Sequence, residues 1–305
     1  RVVPEYDKYP TEPDRQLQLV IKANTRLGYD FTTICVPNFS FNPPDIRRRE
    51  HSVSMNEGSR TGSRMEFESF PWPDPDKADY DILNRSREFL PQGMKLMPSS
   101  PMGLLENAIS LVGFDALCLL IYDDPQLVED IFEAIGSRLV RYYQRVSQYG
   151  SVGACIANDD WGYKTSTVLS PRDLRRFVFP WYERIVEIIH ASGKPVFLHS
   201  CGYFEKIIDD IIETMKFDGR HSYEDNILPV EEAYERYHNR IAILGGIDVD
   251  FICRSSPEEI YRRSKSMLER SAGRGSYELG SGNSIPYYVP DRGYFAMVRA
   301  GLDQR

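Results

Sequence analysis

No apolar run among the 305 residues approaches the roughly 18 that a membrane-spanning helix needs, so no span is expected. No secretory leader is recognisable, although the chain opens at Arg1 rather than at a methionine, which leaves upstream residues open. Cysteine is scarce. The five thiols, at positions 35, 118, 155, 201 and 253, are odd in number and never in C-x-x-C spacing. That pattern argues against a disulfide framework and fits reduced thiols in a cytoplasm. Clustered basic charge is missing too. The net charge is −8, and Arg47-Arg48-Arg49 is too short a run to track a phosphate backbone, which argues against nucleic acid as a partner. No G-x-G-x-x-G follows the first strand, and no serine sits in a nucleophile elbow. The glycines of 280–282 lack the Lys and Ser/Thr of a phosphate loop.

What is present is a regular alternation of strand and helix patterns. Strands are expected at 31–37, 93–97, 152–158, 195–201, 217–223, 241–247 and 276–279. Helices are expected at 17–27, 101–111, 125–149, 171–192, 204–215, 229–237, 257–270 and 291–302. Two starts are strongly marked: Asp124-Pro125, an N-cap followed by proline at the first helical position, and Ser170-Pro171-Arg172-Asp173, a capping-box pattern. Short links between alternating strands and helices mean parallel βαβ units. About seven strands fit a single (β/α)8 barrel over 1–305, with one strand weakly marked or lost upstream; an open flavodoxin-like sheet is the alternative. Residues 41–81 interrupt the pattern with four prolines, at 43, 44, 71 and 73, and two alternating runs, 51–55 and 64–70. They read as an insertion containing a hairpin. Its aromatics, Phe41, Phe67, Phe70, Trp72 and Tyr80, make it a candidate partner or dimer surface near the barrel mouth.

In a barrel all strands end at one mouth. Val196-Phe197-Leu198-His199-Ser200-Cys201-Gly202 ends an apolar run in two metal-capable side chains two residues apart, which share a face. Imidazole and thiolate are usual zinc donors. A core strand that happens to end in His and Cys is the alternative. The other strand ends are also polar: Asn158-Asp159-Asp160-Trp161-Gly162-Tyr163, His221-Ser222-Tyr223-Glu224-Asp225-Asn226, Gly245-Gly246-Ile247-Asp248 and Gly280-Ser281-Gly282-Asn283-Ser284. Asp159, Asp160 and Tyr163 are expected to orient substrate or move protons. Asn158, His221, Asp248 and Asn283 are expected to line the substrate site. Loop and capping roles are the alternative for each.

His199-Ser200-Cys201-Gly202, His221 to Asp225 and Leu244-Gly245-Gly246-Ile247-Asp248 together resemble the uroporphyrinogen decarboxylase superfamily, in order and spacing, from about Gly93 onward. His-x-Cys at this strand end resembles the zinc signature of its methyltransferase branch. That branch holds methylcobamide:coenzyme M methyltransferases, methyltransferases of O-demethylase systems and, more distantly, cobalamin-independent methionine synthase. The resemblance implies zinc on His199, Cys201 and Glu224, the last lying 23 residues after Cys201. The branch's second cysteine, in the last strand's loop, is absent; Asn283 stands near its place. The activity implied is methyl transfer between a small methylated substrate, such as a methyl ether, and a corrinoid (cobalamin) on a partner protein. A coenzyme M-type thiol methyltransferase is the close alternative. A metal-free decarboxylase-like lyase, in which Asp159 or Asp160 would protonate a ring, is the other; the decarboxylases' arginine-rich N-terminal loop is not seen.

Overall fold

Seven short strands carry the fold: β1 Phe31–Cys35, β2 Lys95–Ser99, β3 Cys155–Asn158, β4 Val196–His199, β5 Gly219–His221, β6 Ala242–Leu244 and β7 Tyr277–Glu278. They come from a computed structural model, which describes residues 13–41 and 61–304. The strands pair in sequence order, β1 to β7, and every pairing is parallel. A doubly wound sheet reverses its strand order at a switch point. None occurs here, so the flavodoxin-like alternative falls. The sheet curls until Phe31 and Thr33 of β1 line one cavity with Glu278 of β7, giving a TIM-like barrel open between β7 and β1. No eighth strand is present among the described residues.

The helices form where the caps lie. The Asp124 carboxylate accepts from the Leu127 amide at 3.0 Å, and Pro125 opens a helix that runs to Val146. Its inner face buries Leu127, Val128, Ile131, Phe132, Ile135 and Leu139. Two tyrosines on the same helix fasten strand ends: the Tyr142 hydroxyl donates to the Ser99 carbonyl at 2.6 Å, and Tyr143 to that of Ile156 at 2.8 Å. A third, Tyr182 of the helix Phe179–Ala191, donates to the Asn158 carbonyl at 3.2 Å. Backbone groups at the mouth are thus held from behind by buried phenols.

Several expected elements differ. The helix expected over 101–111 begins at Leu104, and a second helix, Phe114–Asp123, follows Gly113, whose φ of +89° breaks the two apart. The expected helix 204–215 is a 3-10 turn, Glu205–Ile207, and a π turn, Asp210–Thr214. The hairpin reading also fails. Its first arm, 51–55, lies outside the described residues; its second forms the helix Arg64–Ser69. Ser63 explains the difference, since its hydroxyl accepts from the Glu66 amide and donates to the Glu66 carboxylate at 2.9 Å. That reciprocal cap favours helix over the alternation.

The aromatics of 61–81 do not project from the mouth. They pack on the flank, against the helix Pro125–Val146. Trp72 meets Phe41, Phe67 and Phe70 at centroid distances of 6.4, 5.4 and 4.7 Å, and the Arg138 guanidinium lies 5.3 Å from its ring. Tyr80 is buried against Tyr142. Among the described residues, Phe41 and Tyr80 are buried in the core, and Phe67, Phe70 and Trp72 pack half-buried against it. Trp72→Ala should therefore cost about 3 kcal/mol of stability, read as a lower urea midpoint. A change near zero would mean that the cluster is not packed.

Candidate metal centre

The period of β4 delivers His199 and Cys201 to the mouth on one face, with the His199 Nε2 and Cys201 Sγ atoms 3.6 Å apart. Two ligands of one tetrahedral zinc ion, at bond lengths of about 2.0 and 2.3 Å, are separated by about the same distance. Asp160 completes the group. One ligand atom from each of Asp160, His199 and Cys201 falls within 4.8 Å of the others. Imidazole, thiolate and carboxylate are a zinc donor set, and three protein ligands leave a coordination position open. The residues present therefore fit zinc.

A chain of hydrogen bonds fixes which imidazole nitrogen is offered. His221 Nε2 lies 3.0 Å from the Ser281 carbonyl, which can only accept, so that nitrogen carries the proton. His221 Nδ1 must then accept, and its partner at 2.7 Å is His199 Nδ1, which donates. The lone pair of His199 is left on Nε2, facing Cys201. Burial holds both rings neutral: it lowers His199, and with His199 beside it brings His221 down to about 3. Neutral imidazole is the form that binds metal. Burial, with Asp160 next, pushes the Cys201 thiol up to about 12, while the Asn283 amide donates to its sulfur at 3.3 Å and opposes the shift. A cation is what this thiol lacks, and a metal would deprotonate it on binding.

Two loops cross beside the centre. The Asp160 carboxylate accepts from the Cys201 amide at 2.9 Å, and Ser200 Oγ accepts from the Trp161 amide at 3.2 Å. Gly162 and Gly202 make the crossing possible. A Cβ on Gly202, whose φ is +78°, would lie 2.2 Å from the Gly162 carbonyl oxygen, and one on Gly162 would lie 2.4 Å from the Tyr203 nitrogen.

The family model for uroporphyrinogen decarboxylase (URO-D) matches residues 92–301, more than half of the chain. The chain belongs to the uroporphyrinogen decarboxylase family. The uroporphyrinogen decarboxylase of Myxococcus xanthus is 24% identical over 96% of this chain and 85% of its own length. That of Anaeromyxobacter sp. is 26% identical over 62% of this chain; the alignment spans 51% of that relative, about half its length. Among solved structures, a methyltransferase from Methanosarcina mazei superposes with a TM-score of 0.73 over 98% of this chain and 89% of its own, at 17% identity. At that identity the likeness speaks for the fold.

Within the uroporphyrinogen decarboxylase fold the remaining expected site residues divide. Asp159 does not face the mouth. It is fully buried; its carboxylate accepts from the Leu105 and Glu106 amides, each at 2.9 Å, and from the Trp161 indole at 2.8 Å. Both of its oxygens are engaged, and it caps the helix Leu104–Val112. Burial, with Glu106 next, pushes it up to about 7 against those donors. Asp248 is likewise a cap, accepting from the Phe251 amide at 3.0 Å and the Asp225 amide at 2.9 Å. Glu224 sits in a turn, its carbonyl accepting from Ile227 and Leu228, outside the Asp160–His199–Cys201 group. His221 orients His199 rather than facing substrate alone. Asn158 accepts from Ser100 at 3.3 Å. Tyr163 is exposed on the rim. Sequence reasoning missed Glu106, whose carboxylate accepts from the Gly103 amide at 2.7 Å and which burial raises while Asp160 stands near. With the helix expected from 101, no local pattern marked Glu106; it is the third helical residue only because the helix begins at Leu104.

Proposed function

We propose that this chain is a zinc-dependent methyltransferase that moves a methyl group between a small methylated substrate, a methyl ether foremost, and a corrinoid carried by a separate protein. The observation that carries this reading is the 3.6 Å approach of His199 Nε2 to Cys201 Sγ, completed by Asp160, at the strand ends of a barrel. The name of the Methanosarcina mazei structure supports it. Zinc held there would supply a Lewis acid for an ether oxygen, or for a thiol in a coenzyme M-type reaction. The chain supplies the rest. The Ser281–His221–His199 relay keeps the ligating nitrogen aimed and unprotonated. The Cys201 amide holds the Asp160 carboxylate in place. Asn283 fills the position of the missing cysteine and donates to sulfur, which leaves the donor set less thiolate-rich and favours an oxygen substrate. Docking of the corrinoid protein moves from the flank insertion to the rim, where Tyr163, Tyr287 and Tyr288 are exposed and Tyr287 and Tyr288 closely follow Asn283.

A metal-free lyase is the competing reading, favoured by the names of the sequence relatives. Asp159 is too deeply engaged to serve it. The test is a panel of methylated substrates with a reduced corrinoid protein and the zinc-loaded chain. At least one methyl ether should discharge the Co(I) absorbance, and Cys201→Ser should abolish that. Full transfer by zinc-free protein, or release of carbon dioxide from a porphyrinogen by it, would overturn the reading.

A further inference from the structure

One half-buried acid has no part in the metal centre. Glu278 of β7 lines a cavity of about 250 Å³ inside the barrel that also reaches His199 and His221. The pairing register explains the shared space. His199 pairs with His221; Arg220 pairs with Ile243, which sets His221 beside Leu244; Leu244 pairs with Glu278. The four residues form one rung across four strands, and all four side chains line the cavity. Three inter-strand steps of about 4.8 Å separate the metal end of the rung from Glu278.

The surroundings of Glu278 are apolar: Phe31, Met97, Ile156 and Leu244 form much of the wall. No hydrogen bond or ion pair to its carboxylate exists among the described residues. A second cavity, of about 320 Å³, meets the first at Glu278 and adds Asp30. Neither lining contains a lysine or arginine. Burial, with Asp30 next, pushes Glu278 up to about 7. A carboxylate in such a place is costly unless something pairs with it.

We propose that Glu278 is the specificity-determining end of the substrate pocket, where it binds a cationic nitrogen remote from the reacting heteroatom. An ammonium group supplies both the missing charge and the missing N–H donors, and the apolar wall holds the carbon skeleton between the two ends. The substrate class is then an elongated amine that carries its methylated oxygen or sulfur at the opposite end. This assignment rests on the methyl-transfer reading for the direction in which the substrate lies, but the cation subsite can be measured without it.

The probes are hexylammonium and hexan-1-ol, titrated calorimetrically into zinc-loaded native protein and into Glu278→Gln. Hexylammonium should bind at least about tenfold more tightly than the alcohol, and the ratio should fall to about one in Glu278→Gln, with zinc content and circular dichroism unchanged. Equal binding of the two probes, or a preference that survives in Glu278→Gln, overturns the proposal. A variant that loses zinc or its fold is replaced by Glu278→Asp, which should keep the preference. Para-methoxyphenethylamine and para-methoxyphenethyl alcohol, offered with the corrinoid protein, separate the two readings. Equal transfer from both removes Glu278 from specificity and leaves the methyltransferase standing. An ammonium preference in binding with no transfer from either does the reverse.

Discussion

Asp160→Ala protein should retain less than about a tenth of the zinc bound by the native chain, whereas Glu224→Gln should retain nearly all of it. Deleting one of three ligands costs more than the 10- to 100-fold in affinity that loss of an outer partner costs. Only Asp160 stands with His199 and Cys201 among the described residues. Elemental analysis after dialysis at fixed free zinc reads the result, with Cys201→Ser as the matched loss. Transfer to the corrinoid protein should fall with zinc occupancy in the same order. An emptied Glu224→Gln beside a full Asp160→Ala would restore the ligand set implied by resemblance and displace the one argued from geometry.

The neighbouring acid should behave quite differently. Asp159→Ala should lower the unfolding free energy by at least about 3 kcal/mol, since it strands the Leu105 and Glu106 amides and the Trp161 indole in a buried site at about 1–3 kcal/mol each. Asp159→Asn keeps one acceptor and should cost less. Denaturant unfolding measures both. If Asp159→Ala unfolds at the native midpoint but loses methyl transfer, the residue is catalytic and the capping role is wrong.

These two aspartates mark the boundary of what the sequence makes legible. Their position at a strand end followed from periodicity, as did the shared face of His199 and Cys201, because strand side chains alternate strictly. Which of two consecutive acids turns inward depends on where the helix Leu104–Val112 presents its amides, a contact across more than fifty residues that no local pattern encodes. Glu224 shows the same limit, since its turn departs from β5 on a path set by Asp248 and Leu228 rather than by spacing. The segment 64–70 was misread because a cap and an alternation competed in one short stretch and the cap prevailed. Glu278 carried no signal at all. A lone acid in a two-residue strand becomes notable only once registry sets it on a rung with two histidines.

The glycine crossing at 162 and 202 bears on the energetics of metal uptake. Asp160 and Cys201 sit on segments clamped to one another through the Cys201 amide and the close approach of Gly162 and Gly202. The chain then behaves unlike a zinc finger, whose ordering is bound up with its metal. Here zinc would raise the melting temperature by mass action alone, in proportion to the logarithm of its free concentration. Little apolar surface would change hands, so the heat-capacity change of binding stays small. A site built in this way surrenders its ion without surrendering its fold.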